Sequence, residues 1–143
     1  MTDLNSYSMQ HREFVQTTII RMNTISFQLK GMMITILAAF LAIYATNPKI
    51  ILIVIPIPIV TTFWFFDAYY LQLERKFRGI YNDICNLTPE KDIKTKKLFE
   101  MNPKLYTGGN YNYWKVLFKS SITPFYIIIN LSLVVSYFIL NAN

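Results

Sequence analysis

Residues 50–66 read IILIVIPIPIVTTFWFF, from Ile50 to Phe66, without one charged side chain. A helix needs roughly 17 to 25 apolar residues to cross a hydrocarbon core of about 30 Å, so this stretch reads as a membrane span. Pro56 and Pro58 interrupt it. Each proline removes an amide donor and crowds the preceding turn, so Ile55-Pro56-Ile57-Pro58 is expected to kink or locally unwind the helix. Carbonyls released in lipid need new donors, and the hydroxyls of Thr61 and Thr62, one turn on, are the expected ones. Pro56, Pro58, Thr61 and Thr62, with Asp67 just beyond, form a candidate hinge or pore-lining bend.

Two further apolar stretches flank this one. Residues 31–46 begin GMMITILAAFLAIYA, a short span that Ile25 to Lys30 can lengthen if Lys30 reaches back to the headgroups. Residues 122–140 read ITPFYIIINLSLVVSYFIL. This third span carries Asn130 at its middle and Ser136 near its end, groups expected at a helix interface because lipid offers them no partner. The chain therefore reads as all-α: a multipass membrane protein of three transmembrane helices in one domain.

Composition supports that class. Hydrophobic residues make up 53% and charged ones only 15%, with a mean hydropathy of +0.30; soluble domains carry about 25% charged residues. A single cysteine, Cys85, excludes an internal disulfide, and with the single histidine, His11, it excludes the common zinc patterns. Four glycines leave no phosphate-binding loop or dinucleotide fingerprint. No histidine cluster, activated nucleophile or pair of intramembrane carboxylates is visible, so neither an enzyme nor a cofactor or metal is expected. His11 is expected in solvent, and Cys85 against its own helix. No cleavable leader is expected, since the first apolar run starts thirty residues in.

Charge predicts orientation. Thirteen of the fourteen Lys and Arg residues lie before the first span or between the second and third; only Lys49 lies in the short loop between spans one and two. The positive-inside rule puts the thirteen in the cytosol, with the N-terminus inside and the C-terminus outside a bacterial inner membrane. The net charge of +6 then suits the anionic lipids of the inner leaflet rather than nucleic acid.

Between the spans, residues 9–30 read as a cytosolic or interfacial helix that continues into span one. Phe14, Val15, Met22, Ile25 and Leu29 share one stripe, and Glu13, Thr17, Arg21, Thr24 and Gln28 the opposite one. Residues 67–86 read as a helical extension of span two beyond an aromatic belt at Phe63-Trp64-Phe65-Phe66, with Glu74 and Arg78 a favourable i,i+4 pair. Asp67, at the span end, reads as a site or as a carboxylate paired with Arg21 or Lys30. Residues 87–121 form a basic loop. In it, Thr88-Pro89-Glu90-Lys91 reads as a helix start, with the helix ending near Met101-Asn102-Pro103. That helix would carry Lys91, Lys94, Lys96 and Lys97, a basic run open to lipid headgroups, a nucleotide or neither. Trp114, Leu117 and Phe118 are expected to sink into the interface, with Lys115 and Lys119 toward headgroups.

The strings Arg21-Met22, Ser26-Phe27 and Leu29-Lys30-Gly31, then Phe63-Trp64, Asp67-Ala68-Tyr69-Tyr70-Leu71, Glu74-Arg75, Phe77-Arg78 and Tyr81, resemble an uncharacterised group of small bacterial multipass membrane proteins. The resemblance covers about residues 11 to 81. These proteins are similar in plan to the membrane effectors of anti-phage systems, where a sensor enzyme makes a nucleotide signal and a small helical effector oligomerises and breaches the inner membrane. The resemblance implies a homo-oligomer, with four or more copies expected because three spans are too thin to enclose a conduction path. A cytosolic sensor protein or an anionic nucleotide would gate it. Arg21, Lys30, Tyr70, Arg75, Arg78 and Tyr81 are the candidate ligand-binding residues: arginines grip phosphate and tyrosines can stack on a base. The alternative is a non-enzymatic anchor recruiting a cytosolic partner.

Overall fold

A computed structural model describes residues 2–142 apart from Lys96, Leu98 and Ser120, and omits the side chains of residues 2–4 and of Lys119. Lys96 of the basic run, the Lys119 side chain and the terminal Asn143 thus lie outside the described residues. Helix α1 spans Thr2–Thr46, α2 Ile51–Val54, α3 Pro56–Ile84, α4 Tyr113–Lys119 and α5 Ile122–Asn141, with single 3-10 turns at Glu90–Asp92, Pro103–Leu105 and Gly109–Tyr111. Three helices are long and apolar enough to cross a membrane: α1, the α2–α3 pair and α5.

Length decides the architecture. At 1.5 Å per residue, α1 is about 67 Å long and α5 about 30 Å. Helix α5 matches a bilayer core. Helix α1 and the α2–α3 pair are much longer, so their surplus turns stand clear of the apolar zone, side by side, as a stem. Gly31 does not break α1, which runs through it. The helix also starts earlier than residue 9, and its buried stripe is His11, Val15, Met22, Ser26 and Met33; Phe14, expected on that stripe, is exposed.

The proline pair interrupts the helical hydrogen bonding at Ile55 but leaves its backbone helical, at φ −57° and ψ −41°. The bend is thus an interruption of bonding without unwinding. The hydroxyls do not repair it as expected. Thr61 Oγ1 donates to the Ile57 carbonyl and Thr62 Oγ1 to the Pro58 carbonyl, each at 2.9 Å, whereas the prolines release the carbonyls of Leu52 and Val54.

Two apolar clusters form. In the spans, Met33, Val60, Ala68, Leu117, Ile122, Tyr126 and Leu133 pack together. In the stem, Val15, Ile80 and Tyr106 form a second cluster, closed by Phe77, Ile84 and Met101. The segment after α3 folds back on the stem to make a small head. Fully burying each side chain of the stem cluster, which leaves water to do so, contributes about 1.5–3 kcal/mol; the span cluster gains from packing alone, since lipid is equally apolar. Large apolar side chains on the outer faces of the spans, such as Phe66, Ile128, Leu131 and Phe138, are exposed, as a lipid-facing surface requires.

The helix expected from Thr88 to Met101 does not form among the described residues; one 3-10 turn, Glu90–Asp92, stands in its place. Asp83 is the reason. Its Oδ2 accepts from the Lys94 and Thr95 amides at 2.9 and 3.3 Å, and its Oδ1 accepts from Thr88 Oγ1 at 2.5 Å. The amides that would build the helix, and the hydroxyl that would cap it, are held by a carboxylate on α3. Helix α4 forms as an amphipathic piece, but Leu117 is buried in the span cluster while Trp114 and Phe118 are exposed, stacked at 6.2 Å.

Candidate functional site

The head-side end of the bundle carries two polar constellations. The first is centred on Asp67, fully buried where α1, α3 and α5 meet. Lys30 Nζ lies 2.6 Å from Asp67 Oδ2, Tyr126 Oη donates to the same oxygen at 3.1 Å, and Ser26 Oγ donates to Oδ1. Lys30 Nζ also donates to Ser26 Oγ at 2.9 Å. Each helix contributes, and Ser26 stands one turn before Lys30 on α1. Breaking such a buried pair by removing one partner costs about 3–5 kcal/mol, because the other charge is stranded. The constellation locks the three helices to one another. Of the two partners expected for Asp67, Lys30 is the one present, from the same chain; Arg21 stands exposed farther along the stem.

Asn130 and Ser136 also find partners within the chain, whereas the buried Trp64 indole N–H has none among the described residues. Asn130 Nδ2 donates to the Tyr126 carbonyl at 3.1 Å, and Thr61 Oγ1 lies 3.5 Å from Asn130 Oδ1. Ser136 Oγ donates to the Ser132 carbonyl at 2.8 Å. Asp67, Asn130 and Ser136 therefore create no demand for a second copy.

The second constellation is a cleft of about 630 Å³ between α3 and the turn around Gly108. Arg75, Arg78 and Lys94 line it, with Asn82, Thr107 and Asn110. The Arg78 guanidinium is held by Glu74, Nη2 to Oε1 at 2.6 Å, and its side chain remains 63% exposed. Lys94 Nζ sits over the Tyr106 and Tyr111 rings, 5.2 and 5.4 Å from their centroids. Gln72 Nε2 donates to the Tyr111 carbonyl at 2.7 Å, tying the turn to α3.

Of the six candidate ligand residues, then, two share this cleft: Arg75 and Arg78. Lys30 is spent on Asp67. Tyr70 packs edge-on against Tyr69 and lines an apolar groove with Phe65, Phe66 and Tyr113. Tyr81 lies outside the cleft, in a neighbouring pocket with Gln16 and Ile19 of α1 that Arg78 and Asn82 also line. Ser26 and Tyr126 went unread as site residues, since their roles depend on contacts between separate helices; Lys94 was expected only within the basic run, and the folded-back loop brings it to the cleft beside Arg75 and Arg78.

Below the cleft, Asp83 organises the head. Tyr106 Oη donates to its Oδ2 at 2.5 Å. Burial by itself pushes the Asp83 carboxyl up, but hydrogen bonds from Thr88, Tyr106 and the Lys94 and Thr95 amides outweigh it and hold the group below the usual carboxylate range. The Tyr106 phenol is pushed strongly upward by burial and by Asp83. His11, expected in solvent, is instead 1% exposed. Phe99 covers it, with ring centroids 5.4 Å apart, and its amide donates to His11 Nδ1 at 3.2 Å. Burial lowers the imidazole's basicity, against a smaller opposing effect of the Glu100 backbone.

Compared with known protein families, characterised proteins and solved structures, the chain matches none of them.

Proposed function

We propose that the protein is a non-enzymatic effector of the bacterial inner membrane. Copies associate through α1 and permeabilise the bilayer, in anti-phage defence, under the control of a cytosolic nucleotide signal or protein partner. One observation carries this reading. Ile20, Phe27, Ile34 and Leu41 recur every seventh residue on α1 and are 58%, 77%, 50% and 44% exposed. Thr24, Gly31, Ala38 and Ala45, small and exposed, alternate with them. A seven-residue repeat keeps one face on a partner helix through a left-handed supercoil, and small residues admit close approach in lipid. Large and small positions on one stripe complement the same stripe on a parallel copy. Lipid suits the stripe from Phe27 onward, beside the Ser26–Asp67 contact, but Ile20 lies on the stem, where water does not suit it.

In this reading α1, rather than span two, lines the contact between copies. The Lys30–Asp67 constellation holds the resting bundle closed, and its opening frees the spans to rearrange. Purified in mild detergent, the chain is expected to run as a homo-oligomer by mass photometry and to release dye from liposomes. Gly31→Leu and Ala38→Leu, which fill the small positions, are expected to abolish both. A parent that is a clean monomer and leaves liposomes intact would overturn the reading. The exposed Ile20 favours one second reading, an anchor whose stem takes a helix from a cytosolic partner; it predicts that monomer and no leakage.

A further inference from the structure

We propose that the cleft between α3 and the turn at residues 107–111 binds the phosphate group of an anionic ligand, recognised through Arg75, Arg78 and Lys94. Three formal positive charges face one cleft, and no carboxylate is among the described residues lining it. Of the acids on α3 beside it, one pairs with a cleft cation and the other is committed to the loop. Glu74 is buried against Arg78, and Asp83 is committed to Thr88, Tyr106 and two backbone amides. With Glu74 offsetting one of the three charges, the cleft still keeps a net positive charge, and an anion relieves the remaining repulsion.

The cleft is also shaped for a small anion. Arg75 and Arg78 are one turn apart on a single helix. Glu74 fixes one edge of the Arg78 guanidinium, and five N–H donors in a rigid fork leave the other edge available for phosphate oxygens. Gly108 and Gly109 line the opposite wall with positive φ of 72° and 49°. Being glycines, they bring bare backbone to the cleft. Thr107 and Asn82 add neutral donors.

The aromatic residues argue against recognition of a base. Tyr111 lines the cleft, yet Lys94 lies over its ring, and Tyr106 meets it edge-on at 5.4 Å. What the cleft offers is charge and donors. A volume of about 630 Å³ accommodates a phosphorylated metabolite, a nucleotide's phosphates or a phospholipid headgroup. These share one chemistry, an oxyanion of phosphorus. That this ligand gates the membrane rests on the effector reading: α3 carries both Arg75 and Arg78 and, two to three turns away, Asp67. Binding itself does not rest on it.

The test separates the sources and the two readings. The full chain in phosphatidylcholine nanodiscs is titrated with inorganic pyrophosphate by calorimetry. In parallel, it is reconstituted with phosphatidylglycerol and examined for retained lipid by native mass spectrometry. A free phosphate ligand gives pyrophosphate binding that weakens about tenfold or more in Arg75→Gln/Arg78→Gln and again in Lys94→Gln. A lipid ligand gives retained phosphatidylglycerol in the parent and loss of it in the same variants. Lys94→Gln leaves the Glu74–Arg78 pair intact, so it tests the cleft even if the double variant folds poorly. Lys104→Gln, an exposed charge outside the cleft, changes neither measurement. The proposal fails if the parent binds neither probe, or if Lys104→Gln weakens binding as much as Lys94→Gln. Dye leakage, measured separately, reports only on the effector reading.

Discussion

Gly79 and Tyr106 are packed so closely that a Cβ built on Gly79 would lie 2.6 Å from Tyr106 Cδ1 and 2.8 Å from the Tyr111 hydroxyl. The bare α3 backbone at this point admits the Tyr106 ring, and from there its hydroxyl reaches Asp83, one turn on. The loop is held to the stem by that contact, and the cleft wall depends on the loop.

Gly79→Ala is therefore expected to destabilise the head by about 1–3 kcal/mol, the usual cost of forcing an extra methyl into a packed site. In an exposed helix the same change would stabilise by about 0.5–1 kcal/mol. Thermal unfolding in detergent measures the sign. Tyr106→Phe keeps the ring and removes the hydrogen bond to Asp83, so it is expected to cost about 1–3 kcal/mol. A Gly79→Ala protein as stable as the parent would mean that Tyr106 does not occupy this position.

Removing either charge of the Lys30–Asp67 pair should destabilise strongly. Lys30→Met and Asp67→Asn are each expected to cost about 3–5 kcal/mol, and the double variant much less than their sum. Equilibrium unfolding in mixed micelles gives the four corners of this cycle. Additive losses would show that the two groups do not meet in the membrane-embedded protein.

The head should weaken in mild acid. The His11 imidazole is held below its ordinary value of 6.5 by burial. Above that pH both the folded and the unfolded chain carry it neutral, and it contributes nothing. As pH falls below 6.5, the unfolded chain takes up a proton that the folded head resists, so stability drops until the lowered folded value is passed. The thermal midpoint is expected to fall as the pH is lowered through 6.5. His11→Phe should flatten that slope while losing the bond from the Phe99 amide. Asp83, held low by its donors, titrates below this window. An unchanged slope in His11→Phe would assign the acid sensitivity to another group.

Orientation is open to direct labelling. With Cys85 replaced by serine, a cysteine at Lys49 should react with an impermeant maleimide added outside intact cells, and one at Lys97 only after permeabilisation. Outside labelling at residue 97 would invert the topology and move the basic cleft to the periplasm.

Several local features were legible without coordinates because they depend on nearby residues. Apolar run length marks the three spans, since a bilayer sets a minimum length for any helix that crosses it. The 3.6-residue period carries the helix from the stem through Gly31. The Glu74–Arg78 pair forms as its spacing predicts, and Lys30 was one of two candidates for Asp67. Each of these follows from chain-local geometry, or from a charge too costly to leave alone in lipid.

The rest was decided by contacts between distant segments. Whether Thr88 caps a helix depends on Asp83, whose carboxylate takes that hydroxyl and two amides that a helix would have used. His11 is buried because Phe99, far along the chain, folds over it. Arg75 and Arg78 gain Lys94 as a neighbour while Lys30 leaves their group. In each case groups remote in sequence compete for the same hydrogen bond, charge or apolar contact, and local propensity does not say which will win. The amino-acid sequence by itself determined how many helices can cross a membrane and where the cations accumulate; the tertiary structure decided which cations remain free to meet a ligand, because only packing shows which carboxylates are already taken.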